Sequence, residues 1–526
     1  MKNFLIKHKQ LLIDIAVLIS VFFFVTLAYF IFKPLYFKSQ TGLGTSDGSP
    51  ARLFTFLQLT IVIVIGVVLK IRGKLTFHIL IFLIFLIGVI LQLNYMLMTP
   101  YNYRQHDVLS HNNCGHEGYA WTIYTTGKLP TQLDSQGHLE YQFYHPPLNA
   151  LTQAMFMRIS KIFMQGYNFI VSKQYYDVND MNTMFQTSEI LATFYMNIAI
   201  YFGIKTVYRL KIENKFKLMG VVFIALFPAL ILLAGQENND PLCIMNCFIV
   251  IYYTLRWWED RSYFSAAMIG LFTGLAMFAK LSGALIIVPA IVLFAIVLVQ
   301  SIIGKDYKLM RNLLIQGAII GAISLPLGLW FHIYAKIRFN QPFGFVFSNL
   351  TDKLYKGDIS VIKRFFNIFD FEDLFVPLYG NTFENYNLPN FMIKSAIFGE
   401  YSFLGGDAIG YIALFSHYLF TYSSLALIVI YFIFSKKEQL GEKILGLTII
   451  VTQLIAQLYF NIKMPYGCTM DFRYIVPIIL GFMILDVLAF DKFFKQNDWK
   501  KYYSIGVVIV GSIFIASSSL FYLFAY

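Results

Sequence analysis

Long hydrophobic runs, separated by short charged corners and two long polar insertions, make up almost the whole chain. Runs of about 18–25 residues, enough to cross roughly 30 Å of hydrocarbon as helix, fall at 11–33, 52–70, 76–97, 187–208, 216–235, 240–257, 263–280, 282–300, 312–332, 408–433, 443–461, 473–489 and 503–525. They predict an all-α polytopic membrane protein of about 13 transmembrane helices, because in lipid a chain must satisfy its own backbone polar groups. The first run is longer than the apolar region of a signal peptide and has no small-residue cleavage site, so it reads as a retained span. The insertions, 98–186 and 333–407, are long enough to fold over the membrane surface, and loops of that length are uncommon without a function.

Composition agrees with the pattern. The 526 residues are 58% hydrophobic and only 13% charged, with a mean hydropathy of +0.62, which excludes an ordinary soluble protein. The net charge of +12 is concentrated in "MKNFLIKHKQ", "KIRGK", "KTVYRLKIENKFK", "RWWEDR", "KDYKLMR", "KKEQLGEK" and "DKFFKQNDWKK". These corners alternate with less basic ones, which is a topology signal: they predict a plasma-membrane protein with a cytoplasmic N-terminus and the remaining loops extracytoplasmic. Nucleic acid is not an expected partner, since no soluble domain offers a clustered basic face. There is no internal repeat or low-complexity tract.

The predicted outer segments hold the chemistry. The loop "YRQHDVLSHNNCGHEGYAWTIYTTGKLP" carries Asp107 and Glu117, either of which can serve as a general base beyond a membrane exit. His106, His111, His116 and His145 are suited to orienting a phosphate or binding a divalent metal, although no closed zinc spacing is present. Residues 118–127 predict an interfacial helix anchored by Tyr119, Trp121 and Tyr124. "YHPPL" then stiffens the start of a second surface helix, placing Tyr144 and His145 where an anion is favoured. Lys280 and Arg473 are further candidates for a phosphate, Lys280 alternatively as a snorkelling side chain. Asp240 reads as a helix N-cap or as a group orienting the acceptor. Residues 397–403 are a candidate lid. Cys243 and Cys247 share a helix face and read as packing residues, and a Cys114–Cys468 disulfide is left open.

An acidic residue in the first large outer loop, two surface helices, a basic residue before Pro-Pro-Leu at His145, an outer Asp240-Pro-Leu and a late Arg473-Tyr474 resemble the GT-C membrane glycosyltransferases. More narrowly, the chain is similar to the bacterial branch related to protein O-mannosyltransferases and the lipid A aminoarabinose transferase. The resemblance covers about residues 76–490, leaving 1–75 as two extra N-terminal transmembrane helices and 491–526 as a C-terminal one. It implies a GT-C-like bundle with interfacial helices, and transfer of a sugar from a polyprenyl-phosphate carrier in the membrane lipid to a glycan, lipid or protein acceptor. It also implies Asp107 as base, His145 near the donor phosphate with Arg473 and Lys280, and Asp240, Tyr144 and His116 orienting acceptor or sugar. Two features depart from the family pattern: the two preceding spans, and "GHEGY" in place of an Asp-Glu ahead of the first surface helix. Asp107 and Glu117 therefore both stand as candidates for the base, with Asp107 preferred. A polysaccharide polymerase or ligase, and a transporter of lipid-linked sugars, are the alternatives. A transporter calls for ionisable residues at mid-span and repeated halves, and neither pattern is visible.

Overall fold

The computed structural model describes residues 9–36, 49–99, 114–172, 176–345, 355–376, 387–399, 408–435 and 438–524. The described protein is helical, its only β-pairing being the isolated bridges Leu133–Leu139 and Tyr355–Tyr466. A helix stands at each of the predicted runs. Among the described residues nine helices are long and apolar enough to cross a membrane, or ten if the bent pair Asn214–Leu226 and Pro228–Gly235 is one span. Tyr263–Ala279 is a shorter apolar helix, and Asp240–Asp260 and Ile478–Phe493 complete the series. The chain is an all-α polytopic membrane protein.

Three boundaries differ from the sequence expectation for identifiable reasons. The run 216–235 is bent by 40°, because Pro228 lacks an N–H and forces Phe227 into extended backbone. Where the short segment after the bend ends, Gln92 donates to the Leu230 carbonyl at 2.7 Å and Thr193 to that of Ala234 at 2.8 Å. The helix expected at 312–332 runs on as Tyr307–Phe339, about 50 Å at 1.5 Å per residue, and stops at Asn340 in the left-handed conformation. The last loop before the 473–489 run forms two 3-10 turns, Gly467–Met470 and Phe472–Ile475, so that helix begins only at Ile478.

Packing follows membrane logic. Large apolar side chains such as Leu53, Ile63, Ile291 and Ile455 are exposed on the outside of the bundle, where hydrocarbon replaces water. Some polar groups inside are paired across helices: Trp257 donates to Gln316 at 2.7 Å, and Gln316 to the Arg261 carbonyl at 2.8 Å. Helices approach closely at small residues; a Cβ on Gly88 would sit 2.6 Å from the Ala225 carbonyl oxygen.

The predicted alternation of loops appears as two chemically different ends. At one, Arg209 pairs with Glu259, Tyr208 bonds His78 at 2.6 Å, Gln439 donates to the Lys211 carbonyl at 3.1 Å, and Lys492 and Lys495 reach Glu438 and Glu213 at 3.0 and 3.3 Å. These contacts gather the basic corners. The opposite end gathers the 236–240 and 279–283 corners, the 463–474 segment and the described parts of the long insertions.

Candidate functional site

The corner 236–239 is the hub of this second end. Its four residues are buried, and it leads directly into Asp240–Asp260, where Pro241 occupies an early position that needs no donor. Asp240 is not the cap of that helix. Asn239 holds the cap position without a side-chain cap bond, and donates to the Ala279 carbonyl at 3.3 Å instead, tying the corner to the turn that bears Lys280.

The Asp240 carboxylate receives two cations. Lys280 Nζ lies 2.5 Å from Oδ1 and Arg473 Nε 3.7 Å from Oδ2. Lys280 is thus an ion-paired residue, only 16% exposed at its side chain, and not a snorkelling one. Tyr474 organises the pair: its ring lies 4.7 Å from Lys280 Nζ, and its hydroxyl accepts from Arg473 Nη2 at 3.1 Å. Asp471 caps the short Phe472–Ile475 turn through the Arg473 N–H at 2.8 Å. Asp240, Lys280 and Arg473 come from three separate segments, and only the fold assembles them.

A second group surrounds Lys33, near the end of the first helix. Lys33 Nζ donates to the carbonyls of Met96 and Thr99 at 2.6 Å each and to Glu189 at 2.8 Å. Glu237 is 1% exposed. Burial holds its carboxyl well above the usual range, the charges of Glu189 and then Glu117 add to this, and Lys33 opposes it. Glu117 is also buried, on the first turn of the helix Gly115–Thr126, so its electrostatic contact with Glu237 links the catalytic-loop candidates to the corner.

The third group is the Pro-Pro segment. His116 and His145 face one another with ring centroids 6.0 Å apart and nearly parallel planes, and Tyr144 lies 4.5 Å from His145. Tyr119 donates to the His145 carbonyl at 3.2 Å. It is buried, so the expected interfacial anchor is an internal strut; Trp121 and Tyr124 remain partly exposed. Two helices do follow the third span, Gly115–Thr126 and Leu148–Ile170, with Pro147 at the cap of the second.

Of the sequence-predicted residues, His116, Tyr144 and His145 are therefore brought together in one group, Asp240, Lys280 and Arg473 in another, and Glu117 acts on Glu237 of the Lys33 group. Asp107, with Arg104, His106 and His111, lies outside the described residues, as do 400–403 of the candidate lid. Among the described residues no three His, Cys, Asp or Glu side chains are grouped so as to hold a metal. The four cysteines stand as thiols, so Cys114 and Cys468 are not bridged to one another; burial and then Glu140 push the Cys114 thiol up to about 11. Sequence reading missed Lys33, Glu189 and Glu237. Each closes or opens an apolar run and looks like an ordinary span boundary, although an acid in "QENND" beside Asp240 was a usable signal.

No family model matches the chain, and no curated protein matches it. Among solved structures it is similar to ArnT from Cupriavidus metallidurans bound to undecaprenyl phosphate, at 13% identity and a TM-score of 0.41, over 85% of this chain and 75% of that one.

Proposed function

We propose that the chain is a membrane glycosyltransferase of GT-C type, with its catalytic region in residues 76–490, that moves a sugar from a polyprenyl phosphate to a hydroxyl acceptor outside the cytoplasm. The observation carrying this reading is the buried convergence of Lys280 and Arg473 on Asp240 at the end of the bundle away from the basic corners. Positive corners are retained in the cytoplasm, so that end faces outward, where lipid-linked donors and glycan, lipid or protein acceptors meet.

An ammonium and a guanidinium already desolvated and oriented suit a phosphate whose negative charge grows as the sugar departs. Asp240 holds the two cations apart until donor arrives, and Tyr474 limits their motion. In the displacement the acceptor oxygen bonds the anomeric carbon while the bond to the phosphate oxygen breaks. The acceptor proton passes to a carboxylate base, Asp107 in this reading, with Glu117 behind it. The leaving group is the polyprenyl phosphate, and attack opposite to it inverts the anomeric centre. His145 approaches the phosphate from the Pro-Pro segment, and Tyr144 and His116 face the sugar or acceptor.

The test is transfer by the purified protein from polyprenyl-phosphate sugars, with the product's anomeric configuration read by NMR. Arg473→Ala is expected to lower transfer or donor affinity roughly 10–150-fold, the cost of about 1.5–3 kcal/mol for a lost charge-assisted bond, while Arg311→Ala at the basic end changes little. Equal kinetics in both variants would remove Arg473 from the donor site, and retained configuration would exclude a single displacement.

A further inference from the structure

The first helix, Lys9–Tyr36, is joined to Glu189–Arg209 by ion pairs near both of its ends. Near one end Lys205 lies 2.5 Å from Asp14, with Tyr201 also donating to Asp14. Near the other Lys33 lies 2.8 Å from Glu189. The two pairs connect the same helices, but only the second touches the catalytic-loop boundaries. Lys33 donates to Met96 and Thr99 at the C-terminal end of Phe77–Met98, the point at which the long insertion departs, and to Glu189, the first residue of the helix at which the insertion returns. Tyr29, one turn earlier on the first helix, donates to the Gln186 carbonyl at 3.2 Å, within the returning segment.

We propose that Lys33 is a positioning residue: a single ammonium from the first helix clamps the start and the end of the 98–186 insertion and thereby sets where its carboxylates meet the donor. This rests on the glycosyltransferase reading for the identity of the reaction, though not for the clamp itself. The geometry explains why the lysine is spent here. Carbonyls at a helix C-terminus carry partial negative charge and attract a cation, and the side chain is only 4% exposed, facing a fully buried Glu189. All three ammonium hydrogens have acceptors on two segments that are 90 residues apart in number from Thr99 to Glu189. A loop tied at both ends has far fewer arrangements than one tied only by its flanking helices. Glu237 and Glu117 stand in the same electrostatic neighbourhood, so the clamp lies beside the groups it aligns.

The experiment compares full-length Lys33→Met with Lys205→Met in detergent or nanodiscs, by transfer kinetics and by hydrogen–deuterium exchange. Both variants lose an ion pair between the same two helices. The expected result is at least a tenfold lower kcat for Lys33→Met, donor KM within about threefold of wild type, and faster exchange over 115–126 and 181–190. Lys205→Met is expected to keep kcat and the exchange of those segments. Should Lys33→Met fail to fold, Lys33→Met/Glu189→Gln removes the stranded carboxylate charge and is expected to fold while kcat stays low, since the bonds to Met96 and Thr99 are still missing. Equal kcat and equal exchange in Lys33→Met and Lys205→Met, or full recovery of kcat in the double variant, would overturn the clamp. A wild-type protein that transfers no sugar, together with the selective exchange change in Lys33→Met, would leave the clamp standing and discard the glycosyltransferase reading.

Discussion

Glu237 makes a residue-scale prediction independent of any substrate. Its folded carboxyl binds a proton more tightly than in the unfolded chain because burial, Glu189 and Glu117 disfavour the anion. Between the unfolded value, about 4.3, and the raised folded value, the folded chain holds more protons. Glu237 therefore favours folding at low pH, and that contribution is lost as pH rises through the folded value. Glu237→Gln removes the titration. Thermal midpoints of the variant are expected to gain on wild type as pH rises above the unfolded value of about 4.3, and a difference that stays constant as pH rises would show that Glu237 is not held neutral. For the base, Asp107→Asn is expected to keep donor binding while transfer falls about a hundredfold or more. Collapse in Glu117→Gln with near-normal transfer in Asp107→Asn would move the role to Glu117.

At the scale of elements, the site depends on a turn that tolerates no side chain. Gly283 lies in the 3-10 segment Leu281–Ile286, directly after Lys280, and donates to the Lys280 carbonyl at 2.8 Å. A Cβ there would come 2.7 Å from the carbonyl carbon and oxygen of Ala276. Since backbone cannot swing aside as a side chain does, Gly283→Ala is expected to cost about 1–3 kcal/mol and to displace Lys280 from Asp240, raising donor KM several-fold. Gly317, within Tyr307–Phe339, has nothing within 4 Å of its would-be Cβ. Gly317→Ala should leave kinetics unchanged and is the matched control in the same thermal and kinetic assays.

The whole molecule makes a topological prediction. The basic corners meet at one end and the buried ionic groups at the other, so orientation can be read with single cysteines in a cysteine-free background. A cysteine at Gln136, in an exposed turn of the 98–186 insertion, is expected to react with an impermeant thiol reagent in intact cells, and one at exposed Lys74 only after lysis. Labelling at 74 alone would turn the candidate site to the cytoplasm and end the proposed mechanism.

The order and approximate limits of the long helices were legible in the sequence, although about 13 spans were expected and nine or ten described helices are long and apolar enough to cross; hydrocarbon imposes one requirement on every crossing segment, about twenty apolar residues with an internally bonded backbone. The grouping of loops into two ends followed from alternation alone. So did the two helices Gly115–Thr126 and Leu148–Ile170, whose turn and proline signals are local. Pro228 could be seen, but not that Gln92 and Thr193 would meet carbonyls of the segment that follows it. Nor could spacing show that Asp240, Lys280 and Arg473 share one point, since each residue taken alone has an ordinary reading as cap or helix-end cation. Lys33 is the extreme case. In one dimension it is a lysine closing the first apolar run, a position where such side chains commonly reach for water. Only when Met96, Thr99 and Glu189 are packed around it does the same charge become buried, with its donors filled. The requirement for a membrane span acts on consecutive residues, whereas an ion pair acts through space, and tertiary structure alone brings such partners within reach.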